Sequence, residues 1–226
     1  GTAVIEGLLG SDEEYEVVAC DKNSEAVGYF DDIEDVATTT RPSEAAEDVG
    51  VVVLAVKPSD AREAVTGMGL SEDQTLVSFA AAVPVESLEE WTEADVVRVM
   101  PNLAVEHGEM AAGVSPADDV DEDVDSLLTD LGRYVEIDEE KMDISTAVNG
   151  SGPAFVFYLM RAMKRAGVEK GLDDDVAENL AAQTFKGAAE IAEKDARSLQ
   201  ELIDAVCSPG GTTIEGMKVL RNSSVK

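Results

Sequence analysis

Short apolar runs rich in valine recur up to about residue 137: EVVAC (Glu16–Cys20), VGVVVLAV (Val49–Val56), TLVSFAA (Thr75–Ala81), ADVVRVM (Ala94–Met100) and RYVEI (Arg133–Ile137). Within the second of these, VVVLAV is apolar on both alternations, which predicts a strand buried on both faces. Helical spacing fills the intervals between the runs. This βα rhythm predicts a mainly parallel, doubly wound α/β sheet of the Rossmann type over residues 1–138.

Beyond residue 138 the strand pattern stops. Alanine-rich helical periodicity takes over through AFVFYLMRAMKRAG and DVAENLAAQTFKGAAEIAEK. Pro153 stands where the first turn of a helix tolerates it, and Asp173 to Asp175 place negative charge at the amino end of the next helix. Residues 139–226 therefore read as a second, all-helical domain.

Charge changes the picture of the surface. The 226 residues include 17 Lys and Arg against 48 Asp and Glu, a formal net charge of −31, while 44% of the chain is hydrophobic. That is enough apolar material for a core. The acids are spread between patterned segments, in clusters such as DDIED and DEEK, so they describe a solvated surface rather than a disordered tail. Such a field repels nucleic acid and anionic membranes. The composition resembles that of proteins from halophilic cytoplasm. No run of eighteen apolar residues exists to span a membrane, and Gly1 to Leu9 lacks the basic start and cleavage signal of a secretory leader. Cys20 and Cys207 have neither metal-ligand spacing nor a disulfide framework, so a reducing cytoplasm and no metal are expected.

The chain opens with GTAVIEGLLG, which reads as the first helix of a dinucleotide-binding fold, followed by the second strand. On that reading Gly1 is the last glycine of a G-x-G-x-x-G turn, and the first strand lies upstream of it. Asp21, just after EVVAC, is placed to bind the ribose hydroxyls of NAD, whereas its neighbour Lys22 could reach the extra phosphate of NADP, so both cofactors stay open. Open α/β sheets bind ligands beyond the carboxyl ends of their strands. That rule selects Val56, Lys57 and Pro58, then Ala80 and Ala81, then Asn102 as cofactor-facing candidates. His107, the one histidine, falls in a loop after VVRVM with no partner set by spacing, and reads as a surface or packing residue.

Late in the helical part stands SPGGTTIEG (Ser208–Gly216). Gly210 and Gly211 let a ligand approach the backbone, and free amides at a helix start suit a carboxylate. Thr212 and Glu215 have capping-box spacing. The ordered set AVKP (Ala55–Pro58), MPN (Met100–Asn102), NGSGPAF (Asn149–Phe155) and SPGGTT (Ser208–Thr213) resembles pyrroline-5-carboxylate reductase. The resemblance covers essentially the whole chain, except that relatives carry a further strand before Gly1 and continue beyond KVLRNSSVK. It implies hydride transfer from NADPH or NADH to the cyclic imine 1-pyrroline-5-carboxylate, giving L-proline, by a homodimer or a larger assembly of dimers. In that family the matching Ser208, Gly211, Thr212 and Thr213 hold the substrate carboxylate. Ser151, Gly152 and Pro153 form a pocket wall facing the nicotinamide. Thr213 is the side chain expected to assist the ring nitrogen.

Overall fold

The computed structural model describes residues 1–116, 120–208 and 210–222; Pro209 of the SPGGTT stretch and the last four residues of KVLRNSSVK lie outside the described residues. The chain forms two compact units, Gly1–Ala154 and Phe155–Lys226.

In chain order the first unit contains α1 (Thr2–Leu9), β1 (Val17–Cys20), α2 (Ser24–Val27), β2 (Val36–Thr39), α3 (Pro42–Ala45), β3 (Val51–Leu54), α4 (Pro58–Met68), β4 (Thr75–Ser78), α5 (Val85–Glu89), β5 (Asp95–Met100), β6 (Met110–Ser115), α6 (Glu122–Leu131), β7 (Gly132–Glu136) and α7 (Met142–Val148). β1 and β2 pair in parallel, and β3-β4-β5-β6-β7 form a five-stranded sheet. All of its pairs are parallel except β5–β6, which is antiparallel. The expected α/β architecture is present, with two strands that the apolar pattern did not announce. β2 (VATT) is too polar to stand out, and β6 (MAAGVS) is built largely from small residues of low strand propensity.

The core is split by the sheet. Val77, Val97, Val99 and Val114 pack on one face against Val4 and Leu8 of α1 and Val124, Leu127, Leu128 and Leu131 of α6. Leu54, Leu76 and Val96 pack on the other face against Ala61 and Val65 of α4 and Leu88 of α5. This alternation explains the uniformly apolar strand text, since neighbouring residues on β4 and β5 serve opposite cores. β3 departs from the expectation of full burial. Val51 to Val53 are only partly buried, because β3 ends the five-stranded sheet.

The second unit carries most of α8 (Gly152–Glu169), with α9 (Asp174–Lys194), α10 (Leu199–Val206) and α11 (Thr212–Asn222). Ser198 caps α10 reciprocally with Glu201, a capping box that fixes the helix start. Its interior is thin: Ala177 and Ala181 are the buried apolar residues among those described in this unit.

Candidate active site

The strand ends of the first unit present the predicted cofactor-facing residues in order. Gly1 caps α1, its carbonyl accepting from the Val4 and Ile5 amides at 3.0 and 3.2 Å. A Cβ built on Gly1 would meet nothing within 4 Å, so open space adjoins this helix start. Asp21 turns its Oδ1 back to the Asn23 amide at 2.8 Å, closing the turn after β1. Lys22 reaches across to Asp60 in the first turn of α4, with Nζ 3.3 Å from Oδ2. That exposed pair brings the turns after β1 and β3 together. Lys57 itself caps α4 with extended backbone, followed by Pro58 at the first helical position; both side chains are exposed, and Val56 is half-buried.

Beyond β4, Ala80 is fully buried while Ala81 and Ala82 are exposed, and Ala82 adopts left-handed backbone at φ 57°. Open space thus adjoins Gly1, Ala81 and Ala82 are small and exposed, and Lys22 is an exposed cation engaged with Asp60. Among the described residues no cluster of His, Cys, Asp and Glu is arranged to hold a metal.

Asn102 has structural bonds. Its Oδ1 accepts from the amides of Ala104 at 3.1 Å and Ala111 at 3.3 Å, capping the short 3₁₀ turn Leu103–His107. His107 is exposed, with Nε2 3.2 Å from its neighbour Glu106. A residue that the sequence reading quoted without assigning a role is the better connected one. Asn149, which follows α7, donates from Nδ2 to the carbonyls of Met100 at 2.6 Å and Ala111 at 2.8 Å. Its Oδ1 accepts from Ser145 at 3.2 Å. Next come Ser151, Gly152 and Pro153, where the Ser151 amide bonds to Thr146 and the Ser151 carbonyl accepts from Ala154, closing the bend into α8.

Arg98 was also overlooked. It is 5% exposed in the middle of β5, and Nη1 donates to Glu139 Oε1 at 3.0 Å. The same oxygen accepts from the Val85 amide at 2.8 Å. An arginine inside an apolar run was the available signal, because a buried guanidinium demands a partner.

In the second unit, Ser208 and Gly211 close a turn through the Gly211 amide and the Ser208 carbonyl at 3.0 Å, with Gly210 at φ 76°. A Cβ on Gly211 would stand 2.6 Å from Ser208 Oγ, so a larger residue here would have to displace that hydroxyl. Thr212 and Thr213 open α11 and are exposed. The expected Thr212–Glu215 capping box does not form. Thr212 is already helical, one residue too late to cap, and Glu215 accepts instead from Lys218 Nζ at 2.6 Å. The pairing offsets the one acid that would oppose an anion at this helix start.

Comparison with known proteins adds to this geometry. Residues 139–226 match the family model described as pyrroline-5-carboxylate reductase dimerisation, and residues 1–82 match that of NADP oxidoreductase, coenzyme F420-dependent. A pyrroline-5-carboxylate reductase of Arabidopsis thaliana is 37% identical over 190 residues, covering 81% of this chain and 69% of the relative. Pyrroline-5-carboxylate reductase 1 of Bacillus subtilis is 35% identical over 78% of the chain, which spans 62% of that relative's length. The crystal structure of Plasmodium falciparum pyrroline carboxylate reductase with NADP bound superposes with a TM-score of 0.82 at 27% identity, over 98% of this chain and 85% of that one.

Proposed function

The chain belongs to the pyrroline-5-carboxylate reductase family, and we propose that it reduces 1-pyrroline-5-carboxylate to L-proline with NADPH or NADH. The observation that carries the substrate assignment is the turn Ser208–Thr213. Its glycines bare the backbone, two threonines open the helix, and Glu215 is drawn off to Lys218. Such a helix start suits the carboxylate of a small imino acid.

A bound reduced nicotinamide would supply the hydride, which adds to the imine carbon, C2 of the pyrroline ring, the carbon that becomes Cδ of proline. The ring nitrogen is protonated before transfer, so the new C–H bond forms as the C=N π electrons return to nitrogen and neutralise it. The chain then has chiefly to orient. Gly1, Ala80, Ala81 and the turn Val56–Pro58 leave room for the cofactor, and Lys22 offers a cation to an additional phosphate. On the family's pattern Ser151, Gly152 and Pro153 would face the nicotinamide; in the second unit, considered by itself, Ser208, Gly211, Thr212 and Thr213 would hold a substrate carboxylate. Thr213 would also hydrogen-bond the ring nitrogen. Orientation of this kind can lower a barrier by roughly 7–11 kcal/mol, so a hydride acceptor this electrophilic needs no nucleophile from the protein.

The functional boundary on this reading falls at residues 138–139, where the dimerisation match begins. A homodimer, or a larger assembly of dimers, is supported by the apolar surface of the second unit, where Phe155, Tyr158 and Val219 are 62%, 63% and 70% exposed. The free thiols Cys20 and Cys207 suit a reducing cytoplasm, and the acid excess suits a salt-rich one. Among the described residues no helix is long and apolar enough to cross a membrane.

The test is the initial rate of NADPH and NADH oxidation with and without the imine, in molar potassium chloride. Imine-dependent oxidation is expected, and its absence in a folded, cofactor-binding chain would remove the assignment. Thr213→Ala should lower turnover by about 10²-fold while leaving cofactor affinity intact, as loss of a bond to the reacting nitrogen predicts.

A further inference from the structure

The antiparallel pair β5–β6 ends abruptly. Its register runs Arg98 to Ser115, Val99 to Val114 and Met100 to Gly113, so Asn102 would stand opposite Ala111. Pro101 has no amide hydrogen to continue the ladder. Side chains take over at that point. Asn102 Oδ1 accepts from the Ala111 amide, and Asn149 Nδ2 donates to the Ala111 carbonyl and to the Met100 carbonyl. Both polar groups of one peptide-bearing residue are thus clasped by two asparagines, one from the strand end and one from the end of α7.

The other end of α7 is tied to the same strand. Glu139, three residues before α7 begins, binds Arg98, two residues before Met100 on β5. Between the two ties α7 lies close on β6: a Cβ at Gly113 would stand 2.6 Å from Ser145 Oγ. The helix is therefore held at both ends and pressed on the strand between them. The bend it feeds is the one closed by Ser151 and Ala154.

We propose that Asn149, supported by the Arg98–Glu139 pair, is a positioning residue for hydride transfer: it fixes the Ser151–Pro153 bend where the carboxyl end of β5 meets the amino end of β6. This rests on the reductase reading. Asn149 needs no contact with the reacting atoms for the role. Two carbonyls accept from a single NH₂ group, and the rigid amide plane sets where the bend starts. A displacement near 1 Å at a reacting centre can cost about 10²-fold in rate.

The experiment compares the whole chain with Asn149→Asp, which sets an oxygen against both carbonyls, and Asn149→Ala, which removes the donor without adding charge. Single turnovers with NADPH preloaded and the imine saturating should show a hydride-transfer rate constant lowered about 10²-fold in both variants. The amplitude per folded protein and the affinity for NADPH should stay at wild-type values. A purely structural residue would do the reverse, lowering amplitude and sparing the rate constant. Amide hydrogen exchange, measured without cofactor, should quicken roughly ten-fold over residues 149–154 while β4 keeps its protection. Should the aspartate variant not fold, the alanine variant decides alone. A wild-type rate constant in the variants overturns the positioning role, as does unchanged exchange over 149–154. A wild-type chain with no imine-dependent turnover removes the reductase reading and this inference with it, whereas an active wild type with equally active variants removes this inference alone.

Discussion

Ala82 is the clearest case in which one residue's backbone and side chain disagree. With φ at 57° it occupies a region that costs an ordinary L-residue about 1–2 kcal/mol. Ala82→Gly removes that cost but enlarges the unfolded ensemble, which returns about 0.4–1 kcal/mol. The expected net is a stabilisation of about 0.5–1 kcal/mol, read as a melting temperature raised by roughly 2–3 °C. A lower melting temperature would show that the methyl group packs better than its exposure suggests. The same scale explains what could be read from the sequence alone and what could not. Gly211, Thr212 and Thr213 were visible because glycine and hydroxyl residues crowd into one short motif. Asn149 was inside a quoted motif, yet its role depends on two carbonyls 49 and 38 positions away along the chain, and no local spacing encodes those. Arg98 was visible as a charge inside an apolar strand; its partner was not.

Elements were legible where their burial was lopsided or complete. β4 and β5 stood out because their apolar runs serve two cores, whereas β1 and β7 showed only as short valine-bearing runs. β6 did not, since its contribution is closeness: Gly113 admits α7, and Ala112 fits beneath α6. Helix α6 illustrates how elements are then joined. Tyr15, ahead of β1, donates to Asp130 at 2.6 Å, and Tyr134 of β7 donates to Asp125. For Tyr15, burial first and then the Asp130 bond push the phenol up to about 12; for Tyr134 the Asp125 bond comes first, again to about 12. A raised pKa in the folded state favours the protonated phenol. The stabilisation is therefore full below about pH 10, where the unfolded phenol titrates, and is lost as pH climbs through about 12. Urea midpoints should fall across that window, and a Tyr15→Phe, Tyr134→Phe double variant should flatten the fall. An identical slope in the double variant would place the alkaline loss elsewhere. At α11 the relevant pair is Glu215 with Lys218. Lys218→Met leaves the first-turn acid unopposed and should raise the KM for the imine roughly three-fold, an exposed pair being worth little more. An unchanged KM at low salt would mean that the substrate carboxylate binds away from this helix start.

At the scale of the molecule the dominant quantity is the charge of −31. Seventeen bases cannot neutralise forty-eight acids, so even complete pairing leaves 31 carboxylates without a partner of opposite sign. Several bases are already committed locally: Lys164 holds Asp174 and Glu178, and Arg197 holds Asp195. Two salt effects then compete. Screening weakens these exposed pairs, each worth at most about 1 kcal/mol, and it also weakens repulsion among the unpaired acids. Repulsion has the longer reach, and its range contracts from about 10 Å at 0.1 M salt to about 3 Å at 1 M. The second effect should win because the unpaired acids outnumber the pairs. The thin interior of the helical unit makes it the part most exposed to this balance, since little burial there offsets the repulsion. Potassium chloride raised from 0.1 M to 2 M, a range chosen to span roughly 10 Å to below 3 Å of screening, should therefore increase the melting temperature. Protection of α9 amides against hydrogen exchange should increase with it. Glycerol, which leaves the charges unscreened, should not reproduce the gain. If it does, exclusion of solute from the surface is the stabilising agent, and the acid excess has another purpose.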